Sequence, residues 1–221
     1  LETIIFPDNS ETKCIEVNAF WSSNIKKLKI AANLEDIHYS NFDSIYNLND
    51  IEVSPQNKVF SLISGNLLVK KSNPNNLYYD KLVFCYRDAK EVIIPSYINE
   101  ITDYAFYSCQ ILNSLTFQPN STLLAINYCS FYSCDSIKSI VFPESVIKFD
   151  NESLLCMRRL ESILFLGKII QFGFNCLSGC KRLKSVSFPN ALIITFESSS
   201  LDDIPRKTKI NVLYDANLIG V

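Results

Sequence analysis

Ala105-Phe-Tyr-Ser-Cys109 is repeated almost letter for letter as Ser130-Phe-Tyr-Ser-Cys134, and this repetition decides the fold. Two weaker copies follow at 153–157 and 176–180, so that the four segments end 25, 23 and 23 residues apart. Each copy has a small residue, a large apolar residue, two variable positions and a sulfur-containing residue. A fixed period of this length predicts a solenoid, in which each repeat forms one turn stacked on the next.

A short strand-like run follows each copy and ends in an aromatic residue. These runs lie at 115–117, 140–142, 163–165 and 186–188. Apolar residues alternate with small ones, as a half-buried strand requires. We therefore expect the four runs to pair side by side in one parallel sheet.

The large apolar position of the repeat predicts a buried column of side chains. Phe106 and Phe131 occupy it in the clearest copies, and Phe20 and Phe42 match it upstream, which brings the number of repeats to at least six. One repeat cannot bury both its strand and its arm alone, whereas stacked repeats share one continuous core. We expect the phenylalanines to form that core.

Two segments depart from the period. Pro55 and Pro95 are 40 residues apart, which exceeds one repeat by 17. Apolar runs at 59–63, 67–69 and 82–84, with the turn Ser64-Gly-Asn66 between the first two, predict a β-hairpin insertion over about 56–90. The pattern decays over about 190–221, so the strand at 209–212 is uncertain, and 1–221 is treated as a single domain.

The run Val92-Ile-Ile-Pro95 through Ala105-Phe106-Tyr-Ser-Cys109 resembles the BspA-like, treponemal-type leucine-rich repeats. The resemblance implies an α/β solenoid with a parallel β-sheet on the concave face and short helical or irregular arms outside. It also implies a surface protein of a bacterium or parasitic protist that attaches to host cells or matrix. The Asn-, Ile- and Ser-rich composition favours a protist source.

Several function classes are not expected. The net charge of −2 gives no overall field for nucleic acid, and the longest apolar stretch, 162–174, is interrupted and too short to span a membrane. The only histidine is His38, and the five glycines form no phosphate-binding loop. We expect no catalytic residues, no cofactor and no metal.

Cys109, Cys134 and Cys180 fall in one column and could be metal ligands or disulfide partners. Other repeats place Met157, Ile45 or Ser23 there, which a ligand set would not tolerate. The interpretation that we favour is a row of free buried thiols.

Residues flanking the central apolar position of each strand should line the concave face. In the N-terminal strands these are charged, and we expect Lys27 to pair with Asp50 and Lys29 with Glu52. In the C-terminal strands this row is uncharged, which suits the core of a protein interface. Alternatively, its small residues could relieve crowding on the inner curve. The candidate ligand-binding row is Ser114, Thr116, Ser139, Val141, Ser162, Leu164, Ser185 and Ser187.

A second candidate surface is a basic ridge formed by Arg158, Arg159, Lys181 and Arg182, in which each pair recurs after 23 residues. It could bind an anionic glycan, or it could be a solvated edge. The sequence thus predicts a non-catalytic binding module at the cell surface or outside the cell, with a protein or host-surface ligand. The alternative is a cytoplasmic scaffold for protein–protein interactions.

Overall fold

The computed structural model describes residues 1–213 and 215–220. This part of the chain contains twenty short β-strands and one 3₁₀ helix, Tyr39–Phe42. In chain order the strands are β1 (Thr3–Ile5), β2 (Cys14–Ile15), β3 (Lys27–Ile30), β4 (Asp36–Ile37), β5 (Asp50–Val53), β6 (Phe60–Ile63), β7 (Leu67–Lys70), β8 (Lys81–Cys85), β9 (Glu91–Ile94), β10 (Glu100–Ile101), β11 (Ser114–Phe117), β12 (Ala125–Ile126), β13 (Ser139–Phe142), β14 (Lys148–Phe149), β15 (Ser162–Phe165), β16 (Ile169–Phe172), β17 (Ser185–Phe188), β18 (Ile193–Phe196), β19 (Lys209–Val212) and β20 (Asn217–Ile219).

The strands lie in two walls of a β-solenoid. The front sheet consists of three ladders, β1-β3-β5, β9-β11 and β13-β15-β17-β19. The rear sheet consists of the pair β2-β4 and a nine-stranded ladder in the order β20-β18-β16-β14-β12-β10-β8-β7-β6. Pairing within each wall is parallel except where β6, β7 and β8 meet. Ser162 is opposite Ser185, so one turn corresponds to one 23-residue repeat. The predicted parallel solenoid is confirmed.

Most of the arms are irregular, which is one of the two forms that the resemblance implied. Most arms turn sharply through residues with positive φ, such as Tyr104 and Ser108, and their backbone N–H groups bond to the next turn. Phe106 N donates to Ser130 O at 2.8 Å, and Phe131 N donates to Ser153 O at 2.8 Å. Because these donors bond between turns, they are not free to bond to the fourth residue back, as an α-helix requires. The protein is therefore almost entirely β-structure.

Aromatic side chains fill the space between the walls. Phe106 and Phe131 are fully buried and stack with ring centroids 4.7 Å apart, which confirms the predicted column. Nearer the C-terminus, Phe165 from the front sheet stacks on Phe188 at 5.0 Å and meets Phe149 of the rear sheet edge-on at 5.0 Å. Stacked and edge-to-face contacts thus alternate through the core, as the ring quadrupole favours.

The insertion joins two parts of the core. β6 and β7 form an antiparallel hairpin, and β8 pairs antiparallel with β7 and parallel with β10. Leu67, Val69 and Leu82 belong to the large C-terminal core, whereas Leu68 and Phe84 belong to the N-terminal one. The insertion is thus packed on both faces and continues the rear sheet.

Arg87, at the end of the insertion, forms hydrogen bonds to the solenoid backbone. Its guanidinium is buried and donates to the carbonyl oxygens of Phe42 (2.8 Å), Ala105 (2.9 Å) and Tyr104 (3.0 Å). It also lies 4.5 Å from the Phe84 ring centroid. One side chain therefore satisfies carbonyls from the turns on both sides of the insertion, a role that suits the five-donor guanidinium.

The solenoid continues through the divergent C-terminal segment. β19 pairs in parallel with β17, and β18 and β20 extend the rear sheet. The uncertain strand at 209–212 is therefore present. Its side chains are exposed because no described turn covers it.

The Phe106 column provides a direct stability test. Phe106→Ala should lower the free energy of unfolding by about 3–5 kcal/mol, because it removes a fully buried ring and leaves a cavity. Phe106→Leu, which keeps most of the apolar volume, should cost clearly less. Denaturant titration measures both, and a loss below about 1 kcal/mol for the alanine variant would show that the column is not core.

Candidate functional site

Besides its break at the insertion, between β5 and β9, the front sheet is interrupted between β11 and β13. β11 pairs with β9, and β13 starts a separate ladder with β15, whereas the rear strands β10, β12 and β14 pair without a break. The expectation of one continuous ladder through the strands near 115, 140, 163 and 186 is therefore wrong for the first of them. Strand edges that lack a partner retain backbone donors and acceptors for other molecules.

Two extra residues lie beside this interruption. Phe117 and Phe142 are 25 residues apart, whereas Leu123 and Val146 return to the usual 23. The additional length is therefore in 118–122, where Asn120 has a φ of 58°. Asparagine tolerates this left-handed conformation better than most residues. The longer corner directly follows β11 and so lies next to the break between β11 and β13.

A cleft of about 640 Å³ occupies this place, within the range of roughly 300–1,000 Å³ typical of ligand sites. Its walls combine hydroxyl and amide side chains with apolar ones, and Glu144 is the only charged lining residue. Val141 is 49% exposed there, although it is a large apolar residue. The cleft thus presents a neutral, partly apolar surface beside open strand edges.

The structure brings together half of the predicted row. Ser114, Thr116, Ser139 and Val141 line the cleft. The other four lie outside it on the paired strands β15 and β17, and Leu164 is half-buried, not freely exposed. The cleft is also lined by residues that the prediction missed, among them Asn113, Gln118, Asn120, Ser121, Pro143 and Leu166. The 25-residue spacing was the sequence signal for this corner.

The charged end of the front sheet is largely paired. Lys27 is opposite Asp50 and forms an ion pair with it at 3.0 Å. Lys29 is opposite Glu52, as predicted, but its ion pair is with Asp8 at 3.1 Å. Such exposed pairs contribute little stability. They leave few free charges at this end of the sheet.

The basic ridge does not act as one charged cluster. Arg158 donates to Asp135 at 2.9 Å, and this carboxylate raises the pKa of the guanidinium. Lys181 and Arg182 instead line a separate hollow of about 510 Å³ with three further lysines. The four predicted residues are thus divided between a paired arginine and a distinct cationic hollow, whose lining does not include Arg159.

All eight cysteines are free thiols. Cys134 donates to Phe106 O at 3.1 Å, and Cys180 donates to Leu154 O at 3.4 Å, in each case from one turn to the column position of the preceding turn. The predicted row of buried free thiols is confirmed. Among the described residues, no three histidine, cysteine or acidic side chains converge as metal ligands would.

His38 has a local structural partner. Its Nδ1 lies 2.8 Å from Ser40 Oγ, and it caps the 3₁₀ helix by accepting from Ser40 N. These contacts of the His38 ring stabilise the start of the 3₁₀ helix. It lies far along the chain from the residues of the cleft.

The sequence model of the BspA-type leucine-rich-repeat family matches the chain over residues 1–68 and 79–211, with six copies of the repeat. The chain belongs to this family. The gap in the match, 69–78, falls inside the insertion that joins the two parts of the core. Proteins built from such repeats are typically non-catalytic binding scaffolds. No curated protein matches the chain.

The whole length of the chain aligns with several solved structures of the same fold. A leucine-rich-repeat protein from Eubacterium ventriosum has 22% identity and a TM-score of 0.75, and a leucine-rich cell-surface protein from Faecalibacterium prausnitzii has 19% and 0.60. The pneumococcal vaccine antigen PcpA has 17% and 0.71. This leucine-rich-repeat chain covers 54%, 53% and 68% of them, so it spans about half the length of the first two. These bacterial proteins give no support to the expected protist source.

The described residues contain no helix with the length and apolar character needed to cross a lipid bilayer.

The thiol row predicts a pattern of chemical reactivity. Burial raises the pKa of Cys176 and Cys180 to about 12, so at pH 8 both remain protonated as well as inaccessible. Because the thiolate is the nucleophile, iodoacetamide should label exposed Cys14 in the folded protein and leave these two unlabelled. Mass spectrometry before and after denaturation measures this. Rapid labelling of Cys176 in folded protein would contradict the buried row.

Proposed function

We propose that this leucine-rich-repeat chain is a non-catalytic adhesion module that acts at the cell surface or outside the cell. In this proposal 1–221 works as a single domain, and the cleft between β11 and β13 receives part of a host protein or matrix ligand. The observation that carries the proposal is the exposed, nearly uncharged cleft at the break between β11 and β13 of the front sheet.

The chemistry of the cleft supports a protein ligand. Interface cores are depleted in charge, and the lining offers hydroxyls, amides and the exposed Val141. The open edges of β11 and β13 could accept backbone hydrogen bonds from an extended segment of the partner. Ser162, Leu164, Ser185 and Ser187 continue the same sheet and would form the rim of the contact.

Two further assignments belong to the proposal. A location at the cell surface is favoured over the cytoplasmic scaffold by the cell-surface protein among the structures that share the fold. An anionic glycan is a second candidate ligand, and the cationic hollow at Lys181 and Arg182 favours it.

If the cleft is the attachment site, one substitution in it should strongly weaken binding. Val141→Glu should weaken binding at least about tenfold, or ~1.4 kcal/mol, because a carboxylate would have to lose water against an apolar partner surface. The matched control is Ile5→Glu, which places the same charge on a 57% exposed residue at the far end of the front sheet. The measurement is retention of chain-coated beads on surfaces bearing purified extracellular-matrix proteins.

Wild-type and Ile5→Glu beads should attach equally, and Val141→Glu beads should not. Unchanged attachment of the Val141→Glu variant, with its unfolding transition intact, would exclude the cleft as the site. Failure of wild-type beads on every matrix surface and on whole host cells would contradict the adhesion function itself.

A further inference from the structure

We propose that the cationic hollow near the C-terminal end of the solenoid binds a sulfated polysaccharide. The hollow is formed by Lys181, Arg182, Lys184, Lys207 and Lys209, with Glu161 as its only acidic residue. This inference deepens the second ligand named above and rests on the proposed function only for its surface location. It adds Lys184, Lys207 and Lys209 to two residues of the ridge, and it narrows the ligand from an anionic glycan to a sulfated polysaccharide.

The solenoid brings these charges together from three successive turns. Glu161 immediately precedes β15, Lys184 immediately precedes β17, and Lys209 opens β19. Backbone bonds fix their spacing, since Lys184 N donates to Glu161 O at 2.8 Å and Lys209 N donates to Lys184 O at 2.9 Å. The cations therefore come from two adjacent turns, about 4.8 Å apart, and Glu161 comes from the turn before. Lys209 is opposite Ser185, so Lys184 and Lys209 occupy neighbouring repeat positions and not equivalent ones. Such a cluster across two turns suits an extended chain that carries several anionic groups.

Most of this positive charge has no internal partner. Lys184 forms an ion pair with Glu161 at 2.5 Å and lowers the pKa of that carboxyl group. In the part of the chain that the structure describes, no acidic side chain pairs with Lys181, Arg182, Lys207 or Lys209. The hollow thus concentrates four unpaired cations in a protein whose net charge is −2. Concentration of one sign in a concave site focuses the field toward a ligand of the opposite sign.

The lining distinguishes between polyanions. Single-stranded nucleic acid sites use aromatic side chains on which bases stack, and the lining here contains none. A flat anionic membrane would reach the rim of a hollow but not its floor. A sulfated sugar chain needs neither stacking nor flatness, and its hydroxyl groups could donate to Glu161. Lysines provide point charges suited to its irregularly spaced sulfates.

The probe is dextran sulfate, with uncharged dextran of the same length as the ligand control. Lys181→Gln/Lys207→Gln/Lys209→Gln should weaken binding at least tenfold in 0.15 M salt. Lys58→Gln/Lys90→Gln/Lys168→Gln removes the same net charge from exposed lysines outside the hollow and should bind like wild type. Titration calorimetry at several salt concentrations measures affinity, and rising salt should weaken wild-type binding more steeply than binding by the hollow variant.

The outcomes separate this site from the cleft. Val141→Glu should bind dextran sulfate normally, and the hollow variant should still attach to a matrix protein held in the cleft. Absence of wild-type binding, or equal loss in both triple variants, would overturn the proposal. Equal affinity for a single-stranded oligonucleotide, or for phosphatidylserine vesicles, would overturn the assignment to a sulfated polysaccharide.

Discussion

Hydrogen bonding between successive turns is the constraint on which the rest of the structure depends. Outside the insertion and the break between β11 and β13, strands, arms and corners donate to the neighbouring turn, so paired residues lie about 4.8 Å from their counterparts one repeat away. This fixed step explains why identical side chains stack in columns. Phe106 meets Phe131, and Cys134 reaches the carbonyl of Phe106. It also explains why Lys184 and Lys209, which belong to adjacent turns, lie close together in the cationic hollow.

The features with functional potential arise where this regularity is modified. The insertion interrupts the rear ladder between β4 and β6, yet it keeps the two parts of the core joined because Phe84 enters the core and Arg87 satisfies carbonyls on both sides. The two extra residues after Phe117 leave the rear sheet intact while the front ladder opens. A solenoid can thus vary one corner without loss of the fold, since each turn contacts mainly its neighbours. The cleft is the result of such a local change.

The sequence was sufficient for the repeat, the parallel walls, the phenylalanine column and the free thiols, because each follows from strict periodicity. It left the arms open between helical and irregular, because the repeat pattern does not show that positive-φ residues such as Tyr104 and Ser108 direct backbone donors to the next turn. It also identified only part of the cleft. Asn120 and Pro143 come from two corners that an opening in the ladder brings to one site, and the 25-residue spacing alone does not say which wall opens. The pairing of Arg158 with Asp135 depends on side-chain geometry that the repeat pattern does not encode.

Deletion of one complete turn tests the stacking account most directly. Removal of residues 162–184 joins Glu161 to Ser185 and keeps the register, because Ser162 and Ser185 occupy equivalent positions. Removal of 162–172 deletes about half a turn and shifts every later residue out of its column. Circular dichroism and denaturant titration should show that the full-turn deletion still folds to β-structure and unfolds cooperatively with reduced stability, whereas the half-turn deletion loses the C-terminal strands. Equal disruption by both deletions would contradict the account.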